Sequence, residues 1–84
     1  MPPLAIDWSA KARAHIRSID RAIAMHIFDG VLHYARTGAG DITPLHGDMS
    51  VFLRLRVGDY RVVFRVEDEV MRIYAVHHRS KAYN

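Results

Sequence analysis

The chain has no cysteine, three prolines and a single tryptophan among its 84 residues. Without cysteine it can form neither a disulfide framework nor a thiolate zinc site. No apolar run approaches the roughly 20 residues that a transmembrane helix needs, so we expect no membrane contact. No basic start followed by an apolar core is present, so we expect no secretion signal and a cytoplasmic location. The apolar half of the composition excludes a disordered protein, and the length predicts one domain, residues 1–84.

Acidic residues are also fewer than basic residues, and this imbalance is confined to one part of the chain. The 12 Lys and Arg outnumber the 9 Asp and Glu, which gives a net charge of +3. The two signs balance over residues 1–50, so the whole excess lies in residues 51–84. Ten of the 12 basic residues are arginines, whose planar fork matches phosphate or carboxylate oxygens two at a time. The pattern indicates an anionic partner, either a nucleic acid or an acidic protein.

The first half of the chain has the hydrophobic pattern of a strand followed by two helices. A short apolar run at residues 4–7 predicts an edge strand, and Ser9 suits the N-cap of the helix after it. A second helix, capped by Ser18 or Asp20, carries an apolar stripe at helical spacing and ends at Gly38. Three helical histidines are expected at the surface, facing solvent or a partner: His15, His26 and His33.

In the second half of the chain, the apolar residues recur with a period of two. The stretch up to Gly47 contains Gly, Asp, Thr and Pro, which predicts a loop. Three strands follow, and Gly58-Asp59 between the first two is a tight-turn signal. The predicted fold is α+β: a short strand, a two-helix hairpin and a three-strand antiparallel meander (β-α-α-β-β-β), with the helices on one sheet face.

Turn positions predict the register of the meander. A two-residue loop at Gly58-Asp59 pairs Val57 with Tyr60 and directs the apolar alternation toward the helices. The further pairs of this hairpin are Leu55 with Val62 and Leu53 with Phe64. A second turn at Glu67-Asp68 predicts the pairing of the last two strands. Those pairs are Val62 with Ile73, Phe64 with Met71, Arg61 with Tyr74 and Val63 with Arg72.

The opposite face of the meander is rich in arginine and interrupted by aromatic rings. Its predicted members are Phe52, Arg54, Arg56, Arg61, Val63, Arg65, Arg72 and Tyr74. Like charges on neighbouring strands repel unless an anion covers them, and guanidinium groups interleaved with rings suit a single RNA strand. Arg65 and Arg72 lie near the acidic turn at residues 67–69, which we expect to neutralise them. The alternative interpretation is a charged strand face that is merely solvated.

Several motifs resemble the RelE/ParE superfamily of bacterial type II toxins, over nearly the whole chain. The most specific is LRVGDYRVVF at residues 55–64. The others are Asp7-Trp8-Ser9-Ala10-Lys11-Ala12, Leu45-His46-Gly47, Val76-His77-His78-Arg79 and Ala82-Tyr83. The resemblance implies the β-α-α-β-β-β fold and a cognate antitoxin, in a hetero-oligomer that binds operator DNA. RelE-type members cut messenger RNA in the ribosomal A site, whereas ParE-type members poison DNA gyrase and are not nucleases.

The resemblance also implies roles for individual residues. Arg61 matches an arginine that stabilises the scissile phosphate, Arg79 matches one near the end of the last strand, and Tyr83 matches a tyrosine that activates the 2′-hydroxyl. Some members use a histidine at the position of His77 or His78 as acid or base, and His78 is our catalytic candidate. The candidate RNA-binding residues are Arg54, Arg56, Phe52 and Lys81. Phe52 stands where the family often has a lysine.

These residue types suit RNA cleavage without a metal or another cofactor. The 2′-hydroxyl attacks the neighbouring phosphate, which needs a base, cations for the developing charge and an acid for the departing 5′ oxygen. A plainer interpretation makes Tyr83 a surface residue. His77 and His78 could form half of a metal site, but adjacent strand residues point to opposite faces, which disfavours a shared metal. We expect a ribosome-dependent mRNA endoribonuclease that inhibits translation and arrests growth. The alternatives are a non-enzymatic gyrase poison and an inactive member that only binds its antitoxin.

Overall fold

The computed structural model describes residues 2–49 and 51–81. The described residues form two helices and five strands, in agreement with the predicted α+β class. The helices are α1 (Ala10–Arg17) and α2 (Arg21–Thr37), and the strands are β1 (Ala5–Trp8), β2 (Asp41–Pro44), β3 (Leu53–Val57), β4 (Tyr60–Glu67) and β5 (Val70–His78). The sheet order is β1-β5-β4-β3-β2, with β1 parallel to β5 and every other pair antiparallel. No helix within these ranges is long and apolar enough to cross a bilayer.

Capping residues set the helix boundaries. The Ser9 hydroxyl accepts the N–H of Ala12 at 3.0 Å and so caps α1, as predicted. Asp20, rather than Ser18, caps the N-terminus of α2 with its carboxylate. Gly38 ends α2 in the left-handed conformation, with a φ of 77°, which a residue without Cβ adopts at no steric cost.

Helix α2 supplies the apolar layer that covers one face of the sheet. Its residues Ile27 and Val31 are almost fully buried, as are Phe64 and Ile73 on the strands beneath. The helix approaches β3 most closely at Gly30, where a Cβ atom would lie 2.8 Å from a methyl carbon of Val57. The opposite face of the sheet is thereby left open.

The prediction of a loop up to Gly47 is wrong for part of that stretch, because residues 41–44 form strand β2. Ile42 of β2 pairs with Leu55 of β3, so the antiparallel meander has four strands rather than three. The strand is short and ends in Pro44, which cannot donate to a ladder and is tolerated because β2 is at the sheet edge.

The β3–β4 register is confirmed, but the predicted β4–β5 register is wrong. The second turn is Asp68-Glu69, not Glu67-Asp68, and both residues have positive φ, 53° and 62°. Glu67 therefore pairs with Val70, which shifts every later pair. The observed pairs are Val62 with Val76, Phe64 with Ile73, Arg61 with His77 and Val63 with Ala75, in place of those predicted with Ile73, Met71, Tyr74 and Arg72.

A β-bulge in β5 shifts the register of the later β4–β5 pairs by one further residue. Val63 pairs with Ala75 and Phe64 with Ile73, so Tyr74 is the extra residue between them. Beyond the bulge the alternation of side chains is reversed, which buries Val76 in the core. A straight strand would have put His78 on the open face.

Helix α1 binds the backbone of β5 beyond the end of β1. The Ser9 hydroxyl donates to the carbonyl of Tyr74 at 3.1 Å, and the N–H of Val76 donates to Nδ1 of His15 at 3.0 Å. These bonds replace the ladder that β1 would provide if it were longer, since its pairing with β5 stops at Ile73. They fix α1 beside the open face.

Candidate nucleic-acid interface

A concave surface of about 980 Å³ lies on the open face, and we call it the sheet groove. Its floor includes the nearly buried side chains of Val63 and Ala75. The groove is lined by Ser9, Lys11, Leu45, His46, Phe52, Arg54, Val63, Tyr74, Ala75 and His77. Residues from α1, from the segment after β2 and from three strands thus meet at one site.

Strand register aligns basic side chains across the sheet beside the groove. Arg56, Arg61 and His77 are successive partners on β3, β4 and β5, and we call them the cationic row after its two arginines. Asp41 on β2 pairs with Arg56 and ends the row. Strand spacing of about 4.8 Å makes the row about 10 Å long from β3 to β5.

Carboxylates neutralise one end of the open face. Arg65 forms an ion pair with Glu67, as predicted, while Arg72 lies 3.0 Å from Asp7 and 3.4 Å from Glu67. By contrast, no described carboxylate lies within salt-bridge distance of the remaining arginines of this face, which are Arg54, Arg56 and Arg61. On the open face, the arginines without an ion-pair partner among the described residues are therefore concentrated at the groove and the cationic row.

Two aromatic rings line the groove. The ring centroids of Phe52 and Tyr74 are 5.1 Å apart with an interplanar angle of 81°, an edge-to-face pair. Both residues are half-buried, so each ring retains accessible surface. Such rings beside arginines provide stacking surfaces for unpaired bases.

His77 shares its end of the groove with His15. The two ring centroids are 4.9 Å apart. Burial lowers the pKa of both imidazoles below 6.5, and the charges of Lys11 and Lys81 lower them further. Each ring is therefore mainly uncharged at neutral pH. Because Nδ1 of His15 accepts the N–H of Val76, the proton of the neutral His15 ring is on Nε2.

The structure does not bring His78 to the groove. Its ring packs edge-on against Tyr60, with centroids 5.1 Å apart, and its Nδ1 accepts the N–H of Ser80 at 3.1 Å. Arg79 is exposed, and its Nε lies 3.5 Å from a carboxylate oxygen of Asp59. Tyr83 lies outside the described residues.

The other sequence candidates are divided between the groove and its surroundings. Phe52 and Arg54 line the groove, while Arg56 and Arg61 belong to the adjacent cationic row. Lys81 follows β5 and is exposed. Among residues 2–49 and 51–81, no three histidine or carboxylate side chains converge in a way that could hold a metal ion.

Sequence reasoning missed Lys11 and His15. The expectation of a surface position for His15 is wrong, because the ring is half-buried against β5. The available signal was their spacing of four, which puts both on one face of the helix that Ser9 caps. That signal shows which residues share a face but not which strand the face meets.

Comparison with known proteins gives the fold and the family. Residues 6–83 match the family model of the ParE toxin of type II toxin–antitoxin systems. No curated protein matches the chain. The structure is similar to one chain of the RelBE2 toxin–antitoxin complex of Mycobacterium tuberculosis, with a TM-score of 0.82 and 21% identity. The similarity covers 92% of this chain and 99% of the matched chain.

Two further structures have the same fold. One chain of the archaeal RelE–RelB complex of Pyrococcus horikoshii matches with a TM-score of 0.76 and 21% identity, covering 94% of this chain and 98% of the matched chain. A YoeB/ParE toxin from Agrobacterium tumefaciens has a TM-score of 0.74 and 20% identity, covering 89% and 98%. The fold and the family match agree with the motif resemblance, and the chain belongs to the ParE toxin family of type II toxin–antitoxin systems, within the RelE/ParE superfamily.

Proposed function

We propose that this toxin is a metal-independent endoribonuclease that cleaves messenger RNA on the ribosome. The observation that carries the proposal is the cross-strand pairing of Arg61 with His77. It brings a permanent cation beside an imidazole whose pKa is lowered by burial, so that the ring is mainly in the neutral form that a general base needs. A phosphate held by the cation would have its 2′-hydroxyl within the reach of a base.

The proposed reaction is a transfer within the RNA strand. His77 takes the proton of the 2′-hydroxyl, the O2′–phosphorus bond forms, and the bond from phosphorus to the 5′ oxygen breaks. Arg61 donates hydrogen bonds to the phosphate oxygens on which negative charge develops. The departing 5′ oxygen takes a proton from a second group, for which Tyr83 is the candidate. The products are a 2′,3′-cyclic phosphate and a free 5′-hydroxyl.

The remaining residues of the open face bind the strand in this proposal. Arg54 and Arg56, which have no described carboxylate within salt-bridge distance, contact phosphates on either side of the scissile one. Phe52 and Tyr74 stack on the flanking bases. Lys81 adds positive charge from the end of β5. Arg79 adds less, because its Nε lies 3.5 Å from a carboxylate oxygen of Asp59. Arg65 and Arg72 contribute little, because carboxylates already compensate them.

The test is a reconstituted translation system to which purified toxin is added. Wild-type protein should cut messenger RNA and leave 5′-hydroxyl ends. Arg61→Ala should lower the cleavage rate by about 10²–10³, the usual effect of losing a transition-state donor. Arg72→Ala removes the same charge from the same face, but from an ion-paired side chain, and should cleave normally. Messenger RNA that stays intact while the toxin still arrests growth would contradict the proposal.

The match to the ParE toxin family supports a second candidate, a gyrase poison without nuclease activity. A supercoiling assay with purified DNA gyrase separates the two. Inhibited supercoiling together with intact messenger RNA would establish the gyrase activity. A catalytically inactive member would affect neither assay and would not arrest growth.

We also propose a cognate antitoxin as the toxin's protein partner, in a complex that binds operator DNA. Two of the three similar structures named above are themselves toxin–antitoxin complexes. The expected antitoxin segment is an amphipathic helix whose acidic residues meet the cationic row. Arg56→Ala should then weaken the complex more than Arg72→Ala, as measured by calorimetry. Equal affinities would show that the antitoxin binds elsewhere. With the ribosome as its target and an antitoxin as its partner, the toxin would act in the cytoplasm.

A further inference from the structure

We propose that Lys11, at the start of α1, binds an RNA phosphate on the far side of His77 from Arg61. The polynucleotide would then cross the strands of the sheet and leave the groove over α1, rather than follow one strand. The proposal rests on the proposed function for the identity of the ligand, an RNA strand. It adds a binding residue from an element outside the meander.

Helix α1 lies beside the sheet where the cationic row ends. The cationic row ends on β5 at His77, and β1 no longer pairs with β5 there, because that pairing stops at Ile73. Helix α1 takes the place of a further strand, fixed by the 3.0 Å bond from Val76 to His15. Lys11 precedes His15 by four residues and therefore shares its helix face. Lys11 also lines the groove with His77, so it continues the row onto α1.

The charges around Lys11 favour an anionic ligand. No described carboxylate lies within salt-bridge distance of the Lys11 ammonium group. At this end of the groove His15 and His77 are mainly uncharged, and Lys81, whose charge acts on both rings, has the same sign as Lys11. A metal cation is disfavoured beside two lysines, whereas an anion would relieve their repulsion. A phosphate is the anion that the adjoining Arg61 also suits.

The distribution of ion pairs on the open face also favours one direction for the RNA strand. Along β4 and β5, toward the Asp68-Glu69 turn, the arginines are compensated by Glu67 and Asp7. Across the sheet, from Arg56 through Arg61 to Lys11, no described carboxylate lies within salt-bridge distance of the cations. Asp41, the cross-strand neighbour of Arg56, lies at the end of the row away from Lys11. A phosphate backbone follows uncompensated positive charge, so the path across the strands is favoured.

The test measures binding of the full-length toxin to a short 2′-O-methyl RNA, which cannot be cleaved because its 2′ oxygens are blocked. Fluorescence anisotropy at several salt concentrations gives the affinity and its salt dependence. Lys11→Ala should weaken binding and make the slope of log K against log salt shallower by about 0.7, the value for one single-strand phosphate contact. Lys11→Arg should restore the slope. Binding of a dinucleotide, too short to reach α1, should not change.

Arg17→Ala is the matched control. It removes one positive charge from the same helix, but Arg17 lies near Trp8 and Phe28, away from the groove, so the slope should stay as in wild type. An unchanged slope in Lys11→Ala, or no binding of the oligonucleotide by wild type, would overturn the Lys11 subsite. Lys11-dependent binding by a toxin that cuts no messenger RNA would keep the subsite and overturn the nuclease instead. Loss of antitoxin binding without a change in slope would assign Lys11 to the protein partner and also overturn the proposal.

Discussion

The imidazole of His15 lies 4.9 Å from that of His77, centroid to centroid, and joins α1 to the end of β5. A proton on Nδ1 of His15 would break its bond with the N–H of Val76, and a proton on either ring would repel Lys11 and Lys81. The packing of α1 against β5 therefore depends on both rings being uncharged.

This pair makes stability depend on pH. Because folding lowers both pKa values below 6.5, the unfolded chain takes up protons first as the pH falls. The stabilisation is complete above about pH 6.5 and is lost progressively down to the lowered pKa values of the folded state. Urea unfolding at a series of pH values should show this decline. His15→Asn, whose side-chain oxygen can still accept the Val76 N–H, should make it shallower.

The control for this experiment is His26→Asn, which changes an exposed histidine on α2. It should leave the pH dependence as in wild type. An equally steep decline in wild type and His15→Asn would show that His15 does not titrate differently in the folded and unfolded states.

Gly30 is expected to resist replacement although it lies within a helix. Alanine is the better helix former by roughly 1 kcal/mol, but its Cβ would lie 2.8 Å from the Val57 methyl carbon. Overpacking of this kind costs typically 1–3 kcal/mol, so Gly30→Ala should lower the free energy of unfolding. In a Val57→Ala background the same change should be neutral or stabilising. A Gly30→Ala protein that is more stable than wild type would contradict the close approach of α2 to β3.

Phe52 should contribute to RNA affinity by stacking. Phe52→Ala should weaken binding of a 2′-O-methyl RNA by about 1–3 kcal/mol, the usual contribution of one stacked base. The slope of affinity against salt should not change, because the ring carries no charge. Tyr74→Phe keeps the ring and should bind like wild type. A shallower salt slope in Phe52→Ala would mean that the ring acts by placing a neighbouring arginine.

Much of the fold follows from local sequence signals. The Ser9 cap, the end of α2 at Gly38 and the β3–β4 register each depend on residues close together in the chain, and each is confirmed. Strand β2 has only four residues and no clear alternation, so its pairing with β3 could not be read from its own sequence. The assignment of residues 1–84 to one domain stays a prediction.

The candidate site was harder to predict, because a bulge decides which histidine faces the groove. The run Ile73-Tyr74-Ala75-Val76 has no polar residue to mark a change in alternation. Its bulge is held by contacts from Ser9 and His15, which are more than 60 residues away in the chain. The family resemblance indicates the region of the site, but not which side chain of the His77-His78 pair enters it.

Replacing each of these two histidines in turn gives a direct test of the proposed chemistry. His77→Asn should lower messenger RNA cleavage by about 10²–10⁴, the range for losing a general base. His78→Asn should cleave nearly as wild type, because the bulge puts His78 outside the groove, against Tyr60. Cleavage is measured from the yield of new 5′-hydroxyl ends in the reconstituted translation system, with growth arrest on induction as a second readout.

The pH dependence of the same reaction identifies the role of His77. A base must be unprotonated, and the pKa of His77 is lowered, so wild-type cleavage should stay high at pH 6.5 and decline only below it. Tyr83→Phe removes a single hydroxyl group, and a large loss of rate there would show that this hydroxyl takes part in the chemistry. If His78→Asn instead loses as much activity as His77→Asn, the bulge does not determine which histidine acts as the base. If neither variant loses activity and growth arrest persists, the nuclease mechanism fails and the gyrase activity becomes the better explanation.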